Sequence, residues 1–174
     1  DAMSKKIIST LKIWNYYADA NSEAPTFFYK LADEIQNATY DELSDKNVSY
    51  RMPEPYNTAN LLVNDPTFIL FDVLSTDTIE TAKEVVNVAF KNTVAFFTEL
   101  TKPSINMSAK QNEIETTKKK DALVWQHYKN TSITHLARLK AFSVTDVNIG
   151  GYHNIVNAAS DLWGPSWRMI VDFA

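Results

Sequence analysis

The chain contains no cysteine, which excludes disulfides, thiolate metal sites and a cysteine nucleophile. Exported and cytoplasmic proteins alike manage without cysteine, so the compartment stays open on this ground. No apolar run approaches the ~20 residues needed to cross a bilayer, and no membrane partner is expected. Nor is there a surplus of positive charge, because 17 Lys and Arg face 21 Asp and Glu for a net charge of −4. The one basic run, Lys118 to Lys120, follows Glu113 and Glu115 and reads as a solvated face, so a nucleic-acid partner is not expected either. Glycine is scarce too: the chain has three, and all of them (Gly150, Gly151 and Gly164) fall near its end.

The remaining composition, 45% hydrophobic and 22% charged, is that of a folded, soluble domain with a core. The opening tract "DAMSKKIISTLKIWNYY" is interrupted by Lys12 and Asn15 and lacks a small-residue cleavage site, so it reads as an amphipathic helix and not as a signal peptide. The chain begins with Asp1 and not Met, and it is expected to be an excised piece of something larger.

Helical periodicity dominates the N-terminal three quarters. Ile7, Leu11, Trp14 and Ala18 lay one stripe along a helix expected over 4–18. Ser22 or Asn21 is the expected cap of a second helix, with Pro25 in its first turn and a stripe of Phe27, Phe28, Leu31, Ile35 and Ala38. Two helical turns are expected in "NTANLLVND", and "TFILFDVL" is compatible with helix or strand. The strongest element carries Ile79, Ala82, Val86, Ala89, Phe90, Phe97 and Leu100, with Thr76 or Asp77 as cap and an end before Pro103.

After residue 120 the texture changes. "FSVTDVNIGG", "YHNIVNAAS" and "WGPSWRMIVDF" alternate partially and are separated by turn residues, as short strands are. The expectation is an α+β chain read as one piece over 1–174, mainly helical over 1–120 and mixed with terminal strands over 121–174.

No complete catalytic set emerges, and no catalytic, cofactor-binding or metal-binding residue is assigned. His127 and His135 are eight apart and His153 stands alone, without the three- or four-residue spacing of a helical metal pair. Ser166 in "GPSWR" follows a proline and lacks the second glycine of a nucleophile elbow. Asp33 with Glu34, Asp41 with Glu42, and Glu113 with Glu115 read as solvated surface. Gly150 and Gly151 are not followed by the pattern of a phosphate loop.

The ending nevertheless carries a likeness. "IGGYHNIVNAASDLWGPSWRMIVDF" resembles the C-terminal end of the penicillin amidases, a branch of the N-terminal-nucleophile hydrolases in which a "GG...TVNA" turn precedes a "GPSWRMVVD" strand. The matching positions are Gly150, Gly151, Val156, Asn157 and Ala158, then Gly164, Pro165, Ser166, Trp167, Arg168, Met169, Ile170, Val171 and Asp172. Upstream, "WQHYKNTSITHLARL" is similar to the family's "WG...H" segment, with Gln126 in place of the usual glycine and His135 near the usual histidine.

The resemblance implies that this chain is the C-terminal part of a large β subunit, whose last strands join an αββα sandwich. It implies a parent that cleaves linear amides through an acyl-enzyme on an N-terminal serine, whose α-amine is the base. Its partners are then the α subunit, the N-terminal part of the β subunit and a small-molecule amide, its compartment the periplasm or the outside, and any calcium a property of the parent and not of this chain. Asp1 is not that nucleophile, and Ser4 is internal with a non-basic amide nitrogen, so the chain alone is expected to be inactive and to self-associate through an exposed apolar patch. Arg168, the charge inside the last strand, is expected to form an ion pair, and Arg168→Ala to lower stability. The competing expectation is a free-standing helical binding module, with Tyr16, Tyr17, Phe27 and Phe28 lining a partner groove.

Overall fold

A computed structural model of the chain describes residues 1–43, 51–102 and 121–162, apart from 136, 138, 146, 154, 156 and 157. The chain divides into two compact units, one of Asp1–Thr26 with Leu100–Ala174, the other of Phe27–Glu99. Five α-helices lie among the described residues: α1 (Ala2–Lys12), α2 (Ala24–Thr39), α3 (Pro55–Asn64), α4 (Ala82–Leu100) and α5 (Trp125–Lys129).

Among the described residues, the regular elements of the unit of Phe27–Glu99 are all helical. Phe71, Val73, Ala82 and Val85 form a buried cluster against which Ala38, Leu61, Leu62 and Phe68 pack. Phe27 and Phe97 meet edge to face at 5.0 Å between ring centres, a geometry that aligns the positive rim of one ring with the negative face of the other. Polar ties seal the periphery. The Gln36 amide donates to the Pro53 carbonyl (2.7 Å), and the Tyr40 and Thr58 hydroxyls share a buried hydrogen bond (3.2 Å).

Helix α4 begins later than the periodicity suggests. Glu80 is buried, and its carboxylate accepts from the Val73 amide (3.0 Å), the Thr76 hydroxyl (2.6 Å) and the Thr78 hydroxyl (3.2 Å). Those bonds fold 73–80 into a loop, so neither Thr76 nor Asp77 caps the helix and Ile79 is left exposed. The cap is Thr81, whose amide and hydroxyl both donate to the Glu84 carboxylate, a variant of the reciprocal box that satisfies the free donors of a first turn. The buried face then runs through Ala82, Val85, Ala89, Thr93, Val94 and Phe97, with Val85 and not Val86 inside. "TFILFDVL" becomes a 3-10 turn over Ile69–Phe71, and the two turns expected before Pro66 are α3, opened by Pro55.

In the other unit, α1 also departs from its expected span. The Asp1 carboxylate accepts the Ser4 amide at 2.7 Å and starts the helix at Ala2. It ends at Lys12 because a local turn outcompetes the next helical bonds. The Asn15 side chain takes the Tyr17 amide (3.1 Å), the Trp14 indole donates to the Tyr17 carbonyl (2.8 Å), and Tyr16 adopts φ 65°. Trp14 and Ala18 therefore leave the expected stripe, and Ile7 is the helix's buried residue. Helix α2 starts at Ala24, two residues after Ser22, whose hydroxyl accepts the Ala24 amide (3.2 Å).

Over 121–162 the expected strands are reduced, among the described residues, to two single bridges: Ile133 with Val144, antiparallel, and Tyr152 with Ala158, parallel. Segments this short hold strand geometry only when neighbours supply the remaining ladder bonds. The "WGPSWRMIVDF" segment, with Ser166 and Arg168, lies outside the described residues.

Candidate functional site

Helix α5 is one turn and a half of chain, yet it carries several buried polar and aromatic contacts. Trp125 and Lys129 are four residues apart, hence on one face, and both are buried. The helix ends where Asn130 turns into the left-handed region (φ 48°), which Asn tolerates better than most residues. Its start is tied to the loop before α2: the Trp125 amide donates to the Ser22 carbonyl (2.9 Å) and the Gln126 amide to the Ala20 carbonyl (3.0 Å).

The buried face of α5 reads the glycine pair. The Trp125 indole nitrogen donates to the Gly151 carbonyl (2.9 Å), and the Lys129 Nζ donates to the carbonyls of Gly150 (3.0 Å) and Gly151 (3.2 Å). On the other side of the turn the Gly151 amide donates to the Ala18 carbonyl (2.8 Å). Both glycines are required, for different reasons. Gly151 sits at φ 84°, a conformation that costs a side chain dearly, and a Cβ on Gly150 would lie 2.4 Å from the Ala18 carbonyl oxygen. The Tyr152 ring meets the Trp125 ring at 5.3 Å and extends the aromatic packing beyond the pair. Behind it, the Thr131 hydroxyl donates to the Ser160 carbonyl (2.6 Å) and the Ser132 amide to the Asp161 carbonyl (2.7 Å).

Lys129 is the unusual member. It is 6% exposed, and burial pushes its ammonium down to about 8 from its ordinary value of 10.5. The two carbonyls are its hydrogen-bond acceptors, and its Nζ lies 5.7 Å from the centre of the Trp125 ring. What this arrangement does chemically is clamp: two donor groups make three hydrogen bonds to two carbonyls, and the Gly151 amide ties the same turn to the loop at Ala18.

The residues weighed from the sequence are scattered by comparison. The Asp1 side chain is spent on the α1 cap. The His135 ring accepts the Ala137 amide (3.2 Å) and lies against Phe142, while His153 packs on Tyr152. No group of three or more His, Asp or Glu placed to share a metal ion occurs among the described residues. Two of the acidic pairs are not merely solvated: Glu34 pairs with Lys30, whose Nζ sits 4.4 Å from the Phe96 ring centre, and Asp41 accepts the Leu74 amide (3.0 Å). Of the aromatics offered for a groove, Phe27 is fully buried, whereas Tyr16 and Tyr17 are exposed. The clamp residues Trp125, Lys129 and Ala18 were missed as a set. The signal available was the four-residue spacing of Trp125 and Lys129 ahead of an isolated glycine pair.

Neither curated proteins nor solved structures yield a match to the chain. A family model described as penicillin amidase matches residues 1–174, from the capped α1 through the clamped glycine turn to the terminal motif. A match over the whole length leaves no room for a convergent ending on an unrelated helical module, and the chain belongs to the penicillin amidase family.

Proposed function

We propose that this chain is the C-terminal part of the large subunit of a penicillin-amidase-like hydrolase, and that its work there is structural. The observation that carries the reading is the family match over residues 1–174, and the order of the sequence motifs supports the C-terminal placement. In the parent, a serine exposed at the β-subunit N-terminus attacks the carbonyl of a linear amide. Its α-amine accepts the hydroxyl proton and passes it to the departing amine, leaving an acyl-enzyme that water hydrolyses. Nucleophile, oxyanion donors and any calcium belong, on this reading, to the α subunit and the earlier part of the β subunit. The terminal strands complete the αββα sandwich once those parts are present, and the compartment is the periplasm or the exterior.

The test is hydrolysis of a chromogenic N-acyl anilide by the 174-residue chain and by the full precursor encoded with it. The expected outcome is turnover by the precursor and none by the chain. Turnover by the chain alone overturns the assignment of the nucleophile to another segment, and an inactive precursor overturns the hydrolase reading.

A further inference from the structure

Three segments are tied together here: the loop from Ala18 to Ser22 bonds the start of helix α5 and the Gly151 amide, and Lys129 of α5 bonds the carbonyls of the Gly150–Gly151 turn. We propose that this meeting point is a proton-controlled latch, in which uptake of a proton by the Lys129 amine favours release of the glycine turn from the Ala18 carbonyl. The geometry is that of a buried cation answered by carbonyl dipoles and, among the described residues, by no carboxylate.

The titratable groups on the surrounding elements are accounted for among the described residues. On the loop side, the Asp19 carboxylate accepts the Asn21 amide (2.8 Å) and Glu23 is paired with Lys6 (2.8 Å). On the helix side are Asp121, exposed ahead of α5, then His127, which lies beside Gln126, and Tyr128, stacked on Trp125. Beyond the glycine pair, the Tyr152 and His153 rings pack on each other, and Asp161 is exposed. None of these bonds to Nζ, whose partners are the carbonyls of Gly150 and Gly151.

A primary amine has two hydrogens and serves two carbonyls as fully as an ammonium does in number, while escaping the cost of burying a charge. The ammonium gains stronger individual bonds but surrenders its hydration. When the turn opens, Nζ reaches water and the charge is restored at little cost. The open state therefore binds the proton more tightly than the closed one, and acidification favours opening. The direction of the Lys129 shift, down to about 8 from 10.5, agrees with this sign.

The reporter is the Gly151 amide, whose hydrogen bond to the Ala18 carbonyl breaks when the turn opens. Its hydrogen-exchange protection, corrected for the intrinsic rate, is measured by NMR on the 174-residue chain at about pH 7 and about pH 9.5. A proton linkage of the stated size predicts protection rising by roughly 25-fold between those pH values, and a flat profile for Lys129→Met. Equal profiles in wild type and variant overturn the latch. Should Lys129→Met fail to fold, the side-chain ¹⁵N and ¹³Cε shifts of Lys129 in the wild type decide. A midpoint near 8 supports the latch, and one near the ordinary lysine value refutes it. Because the readout is local protection and not catalysis, its failure is distinct from failure of the hydrolase reading.

Discussion

At the scale of single residues, the glycine pair is where the chain has least freedom. A methyl group on Gly150 meets a backbone carbonyl oxygen at 2.4 Å, and backbone cannot rotate away as a side-chain tip can. Gly150→Ala is expected to cost about 1–3 kcal/mol, as overpacking does, read as a lower midpoint in urea denaturation. Gly151→Ala meets a different obstacle, its φ of 84°, and is expected to cost about 1–2 kcal/mol. Trp125→Phe keeps most of the buried ring but removes the indole donor to Gly151, and a loss of roughly 1 kcal/mol is expected from the unmade hydrogen bond. The glycines could be singled out from the sequence because all three of the chain's glycines crowd its last 25 residues. Their partners could not, because Ala18 lies more than a hundred positions away and nothing in its identity signals a carbonyl in use.

The elements show where periodicity speaks and where it is overruled. Existence and type of helices α1 to α4 follow from apolar spacing, since a 3.6-residue repeat has one natural way to bury a stripe. Their ends follow from single side chains instead. Glu80 draws three donors into a loop and postpones α4 to Ala82. Asn15 and Trp14 stop α1 at Lys12. Thr81→Ala removes the cap hydroxyl and is expected to cost about 1 kcal/mol, visible as a lower thermal midpoint. The Glu80 carboxylate is held below its ordinary 4.5 chiefly by the Thr76 hydroxyl, then by the Val73 amide. A lowered folded-state value means that its contribution is present above the unfolded value and lost as pH falls through the folded one. The thermal midpoint of the wild type should therefore fall more steeply than that of Glu80→Gln between about pH 6 and about pH 3. Parallel curves would remove Glu80 from the account.

For the whole molecule, the two units divide the labour. The unit of Phe27–Glu99 is a helical core of ordinary kind, and the other gathers α1, α5 and the clamped turn. On the proposed reading the family's chemistry lies in other segments of the parent. The expected outcome at this scale is no hydrolysis of an N-acyl anilide by the chain and turnover by the full precursor, compared at equal molar concentration. Large apolar side chains at Ile13, Tyr16, Tyr17, Leu139 and Phe142 are exposed, so a concentration-dependent sedimentation coefficient is expected for the isolated chain. A constant monomer value would contradict that expectation.

Apolar spacing and the terminal motif were enough to find helices α1 to α4 and the family, because each is written in residue types a few positions apart. The tertiary structure alone decided that Lys129 is buried, that Glu80 outranks the caps expected before it, and that the described residues after α5 pair through two single bridges. The physical reason is common to all three. A charge's cost, a cap's strength and a strand's stability depend on which distant backbone groups arrive beside them, and that is a property of the closed chain.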